Sequence, residues 1–161
     1  ARAAGAARVI AVEPASDRLA IAERMGADDL LDPGRVDPVE AVRQVTRGYG
    51  ADVVCEMSGS PAGIRSAFRM CRNAGSVRLL GLPRDEVDVD LAGDVIFKGL
   101  RVYGVVGRRM YRTWIQMRNF LAAGLLDIDP VITHRLPMDR FEEGIRAMES
   151  GEAAKVVLEI T

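Results

Sequence analysis

The sequence predicts an α/β fold, a parallel sheet with helices on both faces. Three observations predict it. Short apolar runs without polar alternation recur along the chain, as strands buried on both faces read. Segments with helical spacing fall between them, so strand and helix alternate throughout. Three of the apolar runs end in glycine-bearing turns: Ser58-Gly59, Gly81-Leu82-Pro83 and Gly104-Val105-Val106-Gly107.

The elements follow in order. Residues 1–7 read as the last turns of a helix with Gly5 at its C-cap. Residues 9–12 form a buried strand that ends in Glu13. Ser16 can cap the next helix, which runs to about Met25 and stops at Gly26. Leu30-Leu31 is a short strand. Asp37-Pro38-Val39-Glu40 is a strong helix start, with an N-cap acid, Pro at the first position and Glu at the third. Residues 52–57 make the next strand. Ser60-Pro61 opens a helix whose apolar face is Ile64, Ala67, Phe68 and Cys71, and Gly75 is expected to end it. Residues 77–80 and 100–106 are further strands. A longer helix follows, with Met110, Trp114, Met117 and Leu121 expected inward and Gly124 as its stop. A second capping box over 139–142 starts a helix to about Ser150, and a strand over 155–160 closes the chain.

Composition narrows the function. At 161 residues the chain is long enough for a real core. Apolar residues are 48% and charged ones 28%, ordinary for a globular chain, and a formal net charge of −1 speaks against nucleic acid or an anionic membrane as partner. Cys55 and Cys71 lie in apolar segments and read as core thiols of a reducing compartment, hence a cytoplasmic protein. No apolar run approaches the roughly 18 residues of a membrane span. His134 is the single histidine, and no Cys-x-x-Cys or His-x-x-x-His spacing occurs, so no metal is expected on these residues. Glu56 and Asp94 are the other tempting acids, and both are expected to be solvated or salt-bridged.

The candidate site sits at the strand ends. In an open α/β sheet, ligands lie outside the carboxyl ends of the strands. Glycine there lets backbone approach a flat ring or a phosphate. An acid at the tip of the second strand of a doubly wound dinucleotide fold accepts the two ribose hydroxyls of adenosine. A carboxylate suits that task because it only accepts. Glu13 stands in that place, and its charge favours NAD over NADP. Arg18, five residues on, is able to lie over the adenine or pair with a phosphate, though a solvated helix arginine fits the spacing equally. A dinucleotide fold should also carry a Gly-x-Gly-x-x-Gly turn about 20 residues before that acid. Twelve residues precede Glu13, and none forms the turn. The expected architecture is therefore a Rossmann-type doubly wound sheet lacking its first strand and glycine-rich turn. In the strand order 3-2-1-4-5-6 that strand is central, so the first two strands here are expected to have no link to the later ones.

Several segments carry a family resemblance: residues 56–59, 80–83, 94–99, 103–110 with Thr113-Trp114, and 132–136. Together they resemble the L-threonine 3-dehydrogenase branch of the zinc-dependent medium-chain alcohol dehydrogenases. The resemblance runs over essentially the whole chain. Val95-Ile96-Phe97-Lys98-Gly99 and Gly107-Arg108-Arg109-Met110 with Thr113-Trp114 are its specific parts. The rest is shared with polyol and butanediol dehydrogenases. It implies the C-terminal portion of a protein about twice as long, with residues 1–132 a truncated dinucleotide-binding domain. Residues 133–161 would be a helix-strand tail returning to the catalytic domain. It places Glu13 on the adenosine ribose with Arg18 beside it, and Leu80, Gly81, Leu82, Val105 and Val106 along the nicotinamide half. Ser58 and Gly59 would flank the cofactor less directly. The implied reaction is oxidation of the L-threonine β-hydroxyl by NAD to 2-amino-3-ketobutyrate, aided by a zinc ion whose ligands lie outside this chain. The portion in hand is expected to be inactive alone, and the full protein to be a homo-oligomer, a tetramer or dimer. From another class, a non-catalytic nucleotide-binding module remains the alternative.

Overall fold

A computed structural model of the chain describes residues 1–160. After a single 3-10 turn at Arg2–Ala4 come β1 (Ile10–Val12), α1 (Ser16–Arg24), β2 (Asp29–Leu31) and α2 (Pro38–Val45). Then follow β3 (Ala51–Glu56), α3 (Pro61–Met70), β4 (Cys71–Leu79), a π-helical turn at Leu91–Ile96, and β5 (Arg101–Gly104). The remainder holds α4 (Arg112–Ala122), β6 (His134–Pro137), α5 (Phe141–Glu149) and β7 (Val156–Glu159). Every strand pair is parallel. Among the described residues the strands form three separate sheets, β1-β2, β3-β4-β5 and β6-β7, and the first two strands do not pair with the later ones. The chain divides into two compact units, residues 1–35 with 109–161, and residues 36–108.

The unit of residues 36–108 holds the main core. Asp37 caps α2, its carboxylate accepting from Val39 N at 2.8 Å, with Pro38 at the first helical position. This satisfies donors that a helix start leaves orphaned. Asp37→Ala is expected to cost about 1 kcal/mol, checked by denaturant unfolding. Ser60 caps α3 in the same way, Oγ accepting from Gly63 N at 3.0 Å. The i, i+3, i+4 face of α3 then buries Ile64, Ala67 and Phe68 against Cys71 and Val77, with Val54, Leu79, Val87, Val89, Val95 and Leu100 around them.

The expected stop at Gly75 needs correction. The helix ends at Met70, and Cys71 is already extended and paired with Ala51. Val53 pairs with Ser76, so residues 72–75 loop out between the two pairings, with Ala74 at φ +56°. Gly75 serves this irregularity: a Cβ there would lie 2.5 Å from Cys71 Sγ and 3.1 Å from the carbonyl of Asp52. The carbonyls of the last turn of α3 are met instead by Lys98, whose Nζ donates to Phe68 O at 2.6 Å and Arg69 O at 3.3 Å.

The other unit has a thin core. Gly144 and Ala153 are its only buried positions among the described residues. Arg2 pairs with Asp28 at 2.7 Å and Arg8 with Asp29 at 2.6 Å, which ties the start of the chain to the start of β2. Three expectations differ here. Ser16 is the first helical residue of α1 and caps nothing; Ala15 is the N-cap and has no side chain to do so. The capping box at 139–142 is absent, because a 3-10 turn at Met138–Arg140 leads straight into α5 and Arg140 pairs with Glu143. Met110, Trp114, Met117 and Leu121 are exposed rather than turned inward. Gly144 in α5 is small by necessity, a Cβ there falling 2.8 Å from Val156 on β7.

Candidate functional site

Glu13 directly follows β1. Its backbone N donates to Leu31 O at 3.0 Å, extending the pairing with β2 by one bond. Its Oε1 accepts from Ala15 N at 3.0 Å, which folds the carboxylate back over the turn into α1. This local bond fixes the side chain at the strand tip. Oε2 has no hydrogen-bond partner among the described residues, and Oε1 keeps a lone pair. The group can therefore still accept two hydroxyl donors. Arg18 lies in the first turn of α1 and is exposed. It lines a cavity of about 250 Å³ with Asp17, Ile21, Arg24, Thr133 and Glu152, which Glu13 does not line. The structure thus sets both residues at one strand-to-helix turn, and among the described residues no hydrogen bond or ion pair joins their side chains.

Residues 36–108 hold the other candidate residues. Leu80 N and Gly81 N both donate to Glu56 O, at 2.9 and 3.2 Å, so the end of β4 is clamped to the end of β3. Val105 N donates to Leu79 O at 2.8 Å, which brings the end of β5 alongside. Leu80, Gly81, Leu82, Val105 and Val106 are thus gathered at the carboxyl ends of adjacent strands. Leu82 and Val106 are open to solvent, at 87% and 95% exposure, an apolar rim with nothing of this unit packed over it.

Glu56 is what sequence reasoning misjudged. It is neither solvated nor salt-bridged: it is 5% exposed and enclosed by its own turn. Its Oε1 accepts from Ser58 N at 2.9 Å and Ser58 Oγ at 2.5 Å, and both oxygens accept from Gly59 N at 3.1 Å. A carboxylate, an acceptor only, is the side chain that can gather these donors. The turn it holds presses on the next strand end. A Cβ on Gly81 would lie 2.0 Å from Gly59 N, and a Cβ on Gly59, at φ +70°, would lie 2.5 Å from Leu82 O. The signal was present in the sequence as an acid closing an apolar strand just before Ser-Gly. Asp94 is salt-bridged, to Arg69 at 3.5 Å. His134 is hydrogen-bonded on β6, Nδ1 to Thr133 Oγ1 at 3.0 Å.

The residues do not suit a metal. Among the described residues no group of three or more His, Cys, Asp and Glu side chains can hold an ion. Glu13 offers acceptor oxygens at the tip of β1, and within residues 36–108 the turn at Gly81 carries an apolar rim at the ends of β4 and β5. No helix among the described residues is long and apolar enough to cross a membrane.

Comparison with known proteins gives the family. L-threonine 3-dehydrogenase of Bacillus licheniformis is 47% identical over 158 residues, covering 98% of this chain and 46% of that protein. The enzyme of the same name from Symbiobacterium thermophilum is 46% identical, covering 98% and 45%. The chain thus spans about half the length of the curated relatives it matches. Among solved structures, an alcohol dehydrogenase from Thermotoga maritima superposes with a TM-score of 0.89 at 27% identity, over 99% of this chain and 45% of that one. The 2R,3R-butanediol dehydrogenase of Bacillus subtilis does so with 0.88 at 27%, over 98% and 45%. The profile of the zinc-binding dehydrogenases matches residues 1–123. The α/β architecture is therefore the Rossmann-type one of these enzymes, and the chain belongs to the zinc-binding dehydrogenase family.

Proposed function

We propose that the chain is the NAD-binding portion of a longer alcohol dehydrogenase that oxidises L-threonine to 2-amino-3-ketobutyrate. The observation that carries the cofactor reading is the packing of Gly59 against Gly81, which leaves bare backbone and an apolar rim where a flat ring lies in such folds. The substrate reading is supported by the 47% identity to a threonine dehydrogenase. The butanediol dehydrogenase likeness supports a vicinal diol as the alternative. NAD, when bound, accepts the hydride from the alcohol carbon. Glu13 accepts the adenosine ribose hydroxyls through Oε2 and the spare lone pair of Oε1. Arg18 lies beside that end. Leu80, Gly81 and Leu82, with Val105 and Val106, line the nicotinamide half and keep water from it. The zinc ligands belong to the rest of the protein. Residues 133–161 join that catalytic part, residues 1–132 forming the cofactor portion. The full-length enzyme is a cytoplasmic homo-oligomer.

The test is direct. In the full-length protein, Glu13→Ser should weaken NAD by about 1.5–3 kcal/mol, roughly 10- to 150-fold, and leave NADP much less affected. An unchanged NAD dissociation constant removes Glu13 from the ribose. Reduction of NAD with L-threonine, compared with 2,3-butanediol and polyols, then decides the substrate.

A further inference from the structure

A second concavity lies in residues 36–108, at the end of β4 opposite to Leu80–Leu82. Its volume is about 380 Å³, within the range of small-molecule sites. Four cations from separate elements line it: Arg43 near the end of α2, Arg69 in the last turn of α3, Arg72 at the start of β4, and Lys98 after the π-helical turn. Tyr49, largely exposed, stands at its edge. Two carboxylates answer the four cations. Asp52 takes Arg72 Nε at 2.6 Å, and Asp94 takes Arg69 at 3.5 Å. Cys71 at the back adds no charge, because burial pushes its thiol up.

Each cation has capacity to spare. Lys98 spends two of its three donors on the carbonyls of Phe68 and Arg69. Arg72 uses Nε on Asp52 and one terminal nitrogen on Asn73 O at 2.8 Å, and its guanidinium lies 6.0 Å from the centre of the Tyr49 ring. Among the described residues, no carboxylate pairs with Arg43. The cations feel one another: burial draws the Lys98 pKa down, Asp94 opposes this, and the charge of Arg43 adds to it. Helix C-termini attract cations, and that accounts for Lys98 and for the places of Arg43 and Arg69. It does not account for Arg72, which lies on a strand.

We propose that this cavity binds a small phosphate-bearing anion, its oxygens held by Arg43, Arg72 and Lys98 and its organic part covered by Tyr49. Guanidinium forks match phosphate oxygens in pairs, and an ammonium adds a point charge. The site is independent of the dinucleotide reading, since none of its residues serves that one.

The experiment titrates inorganic pyrophosphate into the full-length protein by calorimetry, with and without saturating NAD. Saturable binding is expected, with the same dissociation constant in both. Arg43→Gln should weaken it about 10-fold, the worth of one charge-assisted hydrogen bond. Asp52→Asn should tighten it severalfold by freeing Arg72; its carboxylate is 79% exposed, so the fold does not depend on it. Arg118→Gln, on exposed α4, should change nothing. Three results overturn the proposal: no saturable binding at millimolar pyrophosphate, displacement of the probe by NAD, or equal weakening by the changes at Arg43 and Arg118. If the protein fails to bind NAD at all, the Arg43 and Asp52 variants still decide, so the two readings fall separately.

Discussion

Gly81→Ala lowers the stability of the protein by about 3 kcal/mol and abolishes tight NAD binding. The stability figure is the upper part of the usual range for forcing a methyl group into packed surroundings. It is expected here because of what the methyl meets. A Cβ would lie 2.0 Å from Gly59 N, 2.7 Å from Gly59 Cα and 2.7 Å from Ser58 C. All three are backbone atoms of a turn already fixed by Glu56, so no flexible side-chain end is there to swing away. The turn or the end of β4 must move, and the rim of Leu80, Leu82 and Val105 moves with it. Thermal or denaturant unfolding beside NAD titration checks this. Gly104→Ala is the internal comparison for stability, since a Cβ there meets nothing within 4 Å. If Gly81→Ala unfolds with its parent, the close approach of the two turns is wrong.

Removing the carboxylate of Glu56 has an effect of similar size by another route. Glu56→Ala strands Ser58 N, Ser58 Oγ and Gly59 N, all of which now donate to it. Gly59 is buried, so water does not replace the lost acceptor there. Unsatisfied buried donors cost about 1–3 kcal/mol each, and the expected total is roughly 3–4 kcal/mol after the turn relaxes. Glu56→Gln separates acceptor geometry from bulk. Its amide oxygen can serve Ser58, but its NH2 then faces Gly59 N, donor against donor. An intermediate loss is expected from Gln, with NAD weakened more than the unfolding midpoint shifts. Equal and small effects from Ala and Gln would show that the turn holds itself.

How much of this was legible beforehand differs by residue. The alternation of strand and helix, the caps at Asp37 and Ser60, and the glycine turns at the strand ends are local patterns, and the structure repeats them. The separation of β1-β2 from β3-β4-β5 was legible as well, because strand order in such sheets follows from the place of the glycine-rich strand. Glu56 was not. An acid at a strand end reads as solvated, and its burial depends on how the following three residues fold back over it. Gly75 reads as a helix stop because glycine commonly is one. Its true constraint, the sulfur of Cys71, lies across an irregular pairing that periodicity does not register. The stripe of Met110, Trp114, Met117 and Leu121 was readable as one helical face. What that face meets is tertiary information, and helical spacing alone does not carry it. At the candidate site, the strand-tip acid and the glycines were visible in the chain, whereas the clamp of Glu56 O on Leu80 and Gly81 was not.

The parallel pairing has a kinetic consequence. β1 and β2 are joined through α1 within residues 10–31, β3 and β4 through α3 within 51–79, and β6 and β7 through α5 within 134–159. Each sheet thus begins as one crossover of fewer than 30 residues, and closing so short a loop costs little entropy. During synthesis each crossover can close soon after its second strand leaves the ribosome, without waiting for chain still to be made. The order of folding then follows the order of translation, and a pause after about Leu31, Leu79 or Glu159 leaves a strand pair rather than a lone strand.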